Sequence, residues 1–169
     1  MRAIFSKKIL SRMVFILTCV GFVAGCSDAE KQQQMLKQAV AIESADECHL
    51  CGMLVVNFPG PKGEIAQKNS ERIEKFCSTR DLFSYVLQPD NRRQITQIFV
   101  HDMSKSPWET PDDEHFVDAK KAWYVVGSDK KGAMGETLAS FSQKADADAF
   151  SVEFGGNVIG FDEITLETL

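Results

Sequence analysis

The sequence predicts an α+β fold of two small packed ββαβ-like units, following an N-terminal signal and a tether. Three observations predict it. Beyond residue 46, runs rich in β-branched and aromatic residues are punctuated by two helical stretches. The order strand, strand, helix, strand is read twice along the chain. The segments Phe76-Cys-Ser-x-x-Asp81 and Phe141-Ser-x-x-x-Asp146 stand 65 residues apart, as do Tyr85 and Phe150, which suggests that the second unit repeats the first.

The first 25 residues read as a secretory signal. They carry Arg2, Lys7, Lys8 and Arg12 and no acidic residue, followed by the apolar run 13–23. Eleven residues are too few to span a bilayer as a helix but suit a signal-peptide core. The run ends in Val23-Ala24-Gly25-Cys26, small residues before a thiol, which resembles a bacterial lipoprotein signal with Cys26 as the acylated residue. Ser27, where an Asp would resemble an inner-membrane retention signal, favours the outer membrane. Removing residues 1–25 takes away four basic side chains and no acidic one, so the formal charge moves from −5 to −9. An acidic chain without a Lys/Arg block does not fit nucleic-acid binding, and a lipid rather than charge would hold it to a membrane.

Residues 26–46 contain no aromatic side chain and are expected to form a flexible tether, leaving 47–169 as the folded domain, with halves at 47–104 and 118–169. Within it, Leu54-Val-Val-Asn-Phe58 reads as a strand and 59–63 as a hairpin loop, with 65–68 and 72–77 as further extended runs. A helix is expected from Ser78, with Leu82, Phe83, Val86 and Leu87 on its apolar face and Pro89 ending it. Residues 94–100 form a strand by their β-branched and aromatic content, and 108–118 an acidic loop. The second round has strands at 123–126 and 137–141, a helix at 142–154 stopped by Gly155-Gly156, and a last strand at 158–161.

The chemistry concentrates in Glu47-Cys-His-Leu-Cys-Gly-Met53. Of five cysteines, Cys19 leaves with the signal and Cys26 takes the lipid, so Cys48, Cys51 and Cys77 remain. An odd number cannot close a disulfide framework, so at least one thiol is free, metal-bound or intermolecular. In an extended segment, residues i and i+2 share a side, which would bring the Cys51 thiolate and the Met53 thioether together. Such a soft donor set suits Cu(I) better than Zn(II), Mg or Ca. His49, His101 and His115 are further nitrogen donors in reach of sequence reasoning, and Met103 and Met134 are read as packing or loop residues.

The motif Glu47-Cys-His-Leu-Cys-Gly-Met53, followed by Phe58-Pro-Gly-Pro-Lys-Gly-Glu64, resembles the signature of the NosL family of nitrous-oxide reductase accessory lipoproteins. The likeness continues through Phe76-Cys-Ser-Thr-Arg-Asp-Leu-Phe83, Val100-His-Asp-Met103, Trp123-Tyr-Val-Val-Gly-Ser128, Ala133-Met-Gly-Glu136 and Phe154-Gly-Gly156. It implies a periplasm-facing, lipid-anchored Cu(I) chaperone without enzymatic activity. Its partners would be nitrous-oxide reductase or an ABC-type maturation complex, and its place denitrification. It also implies two ββαβ-type units, with Cys51 and Met53 as copper ligands and His101, Met134 and Cys48 as further candidates. One departure is Ala133, where the family usually has Pro before the Met-Gly pair.

Two other readings use the same cysteines. A thiol–disulfide oxidoreductase would pair Cys48 with Cys51, but such a motif opens a helix, and here a β-like run follows. A zinc-binding lipoprotein would gather Cys48, Cys51, Cys77 and a histidine, leaving Met53 without a role. The chain shows no Gly-rich phosphate loop and no Ser-His-Asp order in a supporting context.

Overall fold

The computed structural model describes residues 37–169; the signal, Cys26, Ser27 and most of the expected tether lie outside the described residues. Two antiparallel sheets hold seven of the nine strands among the described residues. Strands β1 (Gly63–Gln67), β2 (Ile73–Phe76), β3 (Ile95–His101) and β4 (Phe116–Asp118) form the first, ordered β2-β1-β3-β4. Strand β5 (Trp123–Val126) is the centre of the second, flanked by β8 (Ala139–Phe141) and β9 (Asn157–Gly160). A small hairpin of β6 (Lys131–Gly132) and β7 (Gly135–Glu136) stands between β5 and β8. Helix α1 (Thr79–Val86) and the short α2 (Pro89–Arg92) link β2 to β3, and α3 (Lys144–Phe154) links β8 to β9.

The α+β class and the paired ββαβ order are thus as the sequence implies. In each unit the first strand is central, the second lies on one side and the strand after the helix on the other. Helix α1 begins at Thr79 and α3 at Lys144, again 65 positions apart.

The units share a core. Leu82, Phe83 and Val86 of α1 are buried with Ile65, Ile98 and Val100 of the first sheet and with Tyr124 and Leu138 of the second unit. The Phe83 ring meets Tyr124 edge-on at 5.2 Å, and the Tyr124 hydroxyl donates to the Ala119 carbonyl at 2.6 Å. A second cluster of Met103, Val125, Ala139, Phe141 and Ala147 lies under α3, where Phe150 packs on Phe141 and Trp108. Met103 is therefore a packing residue, as expected.

Three local expectations differ. Residues 54–58 are not a strand: Leu54 makes one isolated bridge to Glu47, and Val55–Asn57 form a single 3-10 turn. Val55 is fully buried while Val56 is exposed, so a short apolar run sits as an irregular turn on the core. The expected hairpin loop is fixed otherwise: Gly60 N–H donates to the Trp108 carbonyl at 2.7 Å, and the buried Lys62 ammonium donates to the carbonyls of Phe58, Pro59 and Gly60. The acidic segment 108–118 also contains a 3-10 turn, Asp113–His115, and ends in β4.

The described part of the tether region, 37–46, is tied to the first unit. Val40 N–H donates to Glu64 Oε2 at 2.9 Å and Ile42 N–H to Asp113 Oδ2 at 2.7 Å. Lys75 reaches the Ala41 carbonyl and pairs with Asp46.

Two expectations follow from the packing. A Cβ at Gly63 would stand 2.5 Å from Leu82 Cδ2, because β1 and α1 approach there without a side chain between them. Gly63→Val is expected to cost about 1–3 kcal/mol of unfolding free energy by urea titration. The second concerns Glu64, whose Oε1 is buried without a partner and whose pKa burial raises to about 7 from 4.5. Between those values the folded chain holds a proton that the unfolded chain has released, so this group makes stability fall as pH rises. Glu64→Gln is expected to remove that slope, leaving the variant the more stable at the alkaline end of a melting-temperature series; parallel curves would contradict the assignment.

Candidate metal centre

The Cys48–Cys51 segment is a tight loop made by the backbone. Cys48 N–H donates to the Met53 carbonyl and Gly52 N–H to the Cys48 carbonyl, both at 2.8 Å. Gly52 has φ +73°, a conformation that favours glycine, so the chain turns at the point where an extended run was expected. His49 N–H donates to the Lys75 carbonyl at 2.8 Å, which lays the loop against β2. One residue beyond β2 comes Cys77, and the helix α1 starts two residues later.

That helix start is closed by a side-chain cap. Ser78 Oγ accepts the Asp81 N–H at 3.1 Å and donates to Asp81 Oδ2 at 2.9 Å. Asp81 Oδ2 also accepts from the Cys77 thiol at 3.0 Å. The result is a cluster in which the sulfurs of Cys48, Cys51 and Cys77 and a carboxylate oxygen of Asp81 all lie within 4.8 Å of one another. The sulfurs of Cys51 and Cys77 are 3.4 Å apart and in hydrogen-bond contact. Cys48, Cys77 and Asp81 are buried, whereas Cys51 is exposed.

The three thiols are electrostatically unlike. Cys48 is lowered to about 5, chiefly by its contact with the Cys77 side chain, with backbone N–H groups of Cys77, Cys51 and Leu50 assisting. Cys77 is pushed far upward by the same sharing with Cys48, by burial and by the Asp81 carboxylate. Cys51 is raised by desolvation and by its neighbour Cys48. The cluster therefore has its most acidic thiol at Cys48, with the other two shifted towards the protonated form. Lys62 stands close enough to interact with Cys77, although burial lowers its own pKa to about 8.

The residues singled out from sequence fall in different places. Cys48 and Cys51 are in the cluster. Met53 follows it directly, half-buried, with its side chain packed against the main core. The turn at Gly52 means that Cys51 and Met53 are not related by the simple same-side rule of an extended segment. His101, the last residue of β3, is fully buried, and both ring nitrogens are engaged. Its Nδ1 accepts the Lys62 N–H at 3.2 Å, and its Nε2 is 3.1 Å from Asp113 Oδ1. Burial lowers its pKa, which makes it a neutral ring donating from Nε2 to Asp113. It lines a cavity of about 210 Å³ with Ile42, Val55, Phe58 and Lys62, and no member of the thiol cluster is in that lining. Met134 lies in the β6–β7 turn, 58% exposed. His49 pairs with Glu74 at 3.1 Å and packs edge-on against Phe76 and Tyr85.

Sequence reasoning placed Cys77 only in the zinc alternative and gave Asp81 no part in the site. The signal was present: Cys77 stands between a strand and a capped helix start, a junction where backbone turns sharply and side chains converge. The charge state is open to a direct test. As the pH of the metal-free, reduced protein is lowered, thiolate absorbance is expected to be lost with a midpoint near pH 5, and Cys77→Ala, which removes the side chain beside Cys48, to move that midpoint upward. Absence of any thiolate signal at pH 7 would contradict the assignment.

The comparisons with known proteins extend over nearly the whole described chain. The NosL family model matches residues 39–169. A copper-binding lipoprotein NosL of Stutzerimonas stutzeri is 48% identical over 142 residues, covering 84% of this chain and 73% of that protein. The protein of the same name from Achromobacter cycloclastes is 32% identical over 157 residues, covering 91% and 80% respectively. The crystal structure of the copper chaperone NosL from Shewanella denitrificans superposes with a TM-score of 0.76 at 58% identity, covering 78% of this chain and 98% of that one. With its paired ββαβ units, its thiol loop and these relatives, the chain belongs to the NosL family.

Proposed function

We propose that this protein is a membrane-anchored, periplasm-facing Cu(I) chaperone that delivers copper for assembly of the copper centres of nitrous-oxide reductase. The observation that carries the reading is the thiol cluster, with Cys48 and Cys77 buried and Cys51 at the surface, in a chain whose relatives are named copper-binding lipoproteins and a copper chaperone. Thiolate and thioether donors favour Cu(I), a soft ion satisfied by two or three ligands. In this reading Cys51 supplies the anchoring thiolate, Met53 a replaceable soft donor and Cys48 a buried second sulfur. His101 and Met134 remain the further candidates, and each would join only after rearrangement, because His101 is held by Lys62 and Asp113 and Met134 is on an exposed hairpin.

The mechanism is ligand exchange and no catalytic step is needed. A partner's donor approaches copper at the exposed Cys51 side, forms a bond, and a protein ligand then departs. The anchor would be the acylated Cys26, and Ser27 favours the outer membrane. The delivery partner would be the reductase or an ABC-type maturation complex. A zinc reading has one observation in its favour, the Asp81 carboxylate beside three thiols, which could complete a tetrahedral set. A disulfide oxidoreductase is less well supported, since the thiol loop leads into a 3-10 turn rather than into an α-helix.

A Cu(I) competition titration on the reduced chain from Ser27 tests this, with Zn(II) in parallel. One tight equivalent of Cu(I) is expected, lost in Cys51→Ser and weakened in Met53→Leu with the fold retained. Tight Zn(II) binding with weak Cu(I) binding would replace the proposal by the zinc reading.

A further inference from the structure

We infer that Cys51 and Cys77 form a reversible disulfide, a thiol-modification site distinct from the Cys48–Cys51 pair that the C-x-x-C spacing suggests. Their sulfurs are 3.4 Å apart and already hydrogen-bonded. Disulfide formation needs a contraction to about 2.0 Å, a small movement for a side chain on an exposed loop. The two cysteines also differ in the way such a pair requires. Cys51 is exposed, so a dissolved disulfide reaches it first, while Cys77 is fully buried behind it. Cys48 is buried as well, 2% exposed, so it is not the sulfur a dissolved disulfide meets first.

The step balances with a disulfide as oxidant. The Cys51 thiol, on losing its proton, attacks one sulfur of R–S–S–R, forming Cys51–S–S–R and releasing RSH. Cys77 sulfur, its proton given up, then attacks the Cys51 sulfur, the S–S bond of the mixed disulfide breaks, and the released RS⁻ takes up a proton and leaves as a second RSH. The Cys77 proton has an acceptor in place, since that thiol already donates to Asp81 Oδ2 at 3.0 Å. Two protein thiols are oxidised by two electrons and the external disulfide is reduced to two thiols; a dithiol reductant reverses the sequence. Closure removes two of the three clustered sulfurs as metal donors. That consequence, unlike the disulfide itself, rests on the copper reading above.

Tryptic mapping separates the pairings because Cys48 and Cys51 share the peptide 38–62, whereas Cys77 lies in 76–80. The reduced, metal-free full chain in detergent is treated with oxidised glutathione, its remaining thiols are alkylated, and it is digested without reductant. The expected product is a disulfide joining peptide 38–62 to 76–80, retained in Cys48→Ser, lost in Cys51→Ser and reversed by dithiothreitol. A disulfide inside peptide 38–62, persistence of the cross-link in Cys51→Ser, or no cross-link at all would overturn the inference. Loading with one equivalent of Cu(I) before oxidation is expected to suppress the cross-link. If the cross-link forms in the metal-free chain and a separate titration finds no Cu(I) binding, the copper reading fails and the disulfide stands. If Cu(I) binds and the metal-free chain gives no cross-link, the reverse holds.

Discussion

The turn at 77–81 is the constraint on which both the shared core and the thiol cluster depend. Ser78 and Asp81 close the first turn of α1 on each other, and this fixes the direction in which the Cys77 side chain leaves the backbone. The same turn reaches the second unit. Thr79 Oγ1 donates to the Leu138 carbonyl at 2.6 Å and accepts the Leu138 N–H at 3.2 Å, with the Thr137 hydroxyl 2.9 Å away. All of these groups are buried, so leaving any of them unpaired would cost about 1–3 kcal/mol. A displacement of the helix start would thus disturb the unit interface and the sulfur contact together.

Two buried charges organise the segments that lack regular structure. Lys62 and Glu64 flank Gly63 at the point where α1 lies close to β1. The Lys62 ammonium gathers three successive carbonyls of the 58–60 loop, a segment with few backbone partners of its own. Glu64 receives the Val40 N–H and so holds the end of the tether region on the sheet. Burying a charge is costly unless it is paired or hydrogen-bonded, and here both shifts run towards the neutral form, Lys62 downward and Glu64 upward. Asp113 adds a third tie by accepting from both Ile42 N–H and His101. The 210 Å³ cavity lies among these ties, with Ile42, Lys62, His101 and Asp113 all in its wall.

How much could be read from sequence follows from where the determinants lie. The β3 run, the capped α1 and the Trp123–Val126 strand were legible because periodicity, β-branching and a Ser-x-x-Asp cap act within a few residues. The 65-residue offset was legible too, since matching helix starts keep equivalent aromatic positions in register. Residues 54–58 misled because a short apolar run has the same composition whether it lies in a strand or folds over a core as one turn. Cys51 and Met53 were expected to share a side on the premise of an extended chain, and Gly52, with its positive φ, removes that premise. Cys77 is 26 positions from Cys51, and no local pattern states that the loop will be laid on β2. The hydrogen bond that does so, from His49 N–H to the Lys75 carbonyl, belongs to backbone groups, which every residue carries alike.

The difference in exposure among the three sulfurs gives the proposed chaperone a direction. An ion held only by buried thiols would leave slowly, because an incoming ligand could not reach it before a bond broke. An ion held only at the surface would be open to any stray thiol. Here Cys48 and Cys77 lie inside and Cys51 at the boundary, so a partner's donor meets the cluster from one side only. The lowered pKa of Cys48 adds to this, since a more acidic thiol gives up its proton to an incoming metal more readily. The same arrangement makes the cluster oxidisable from the side on which copper would enter. In the proposed scheme, metal exchange and disulfide closure would compete for one sulfur, Cys51, and a reductant that keeps it free would be a requirement for loading.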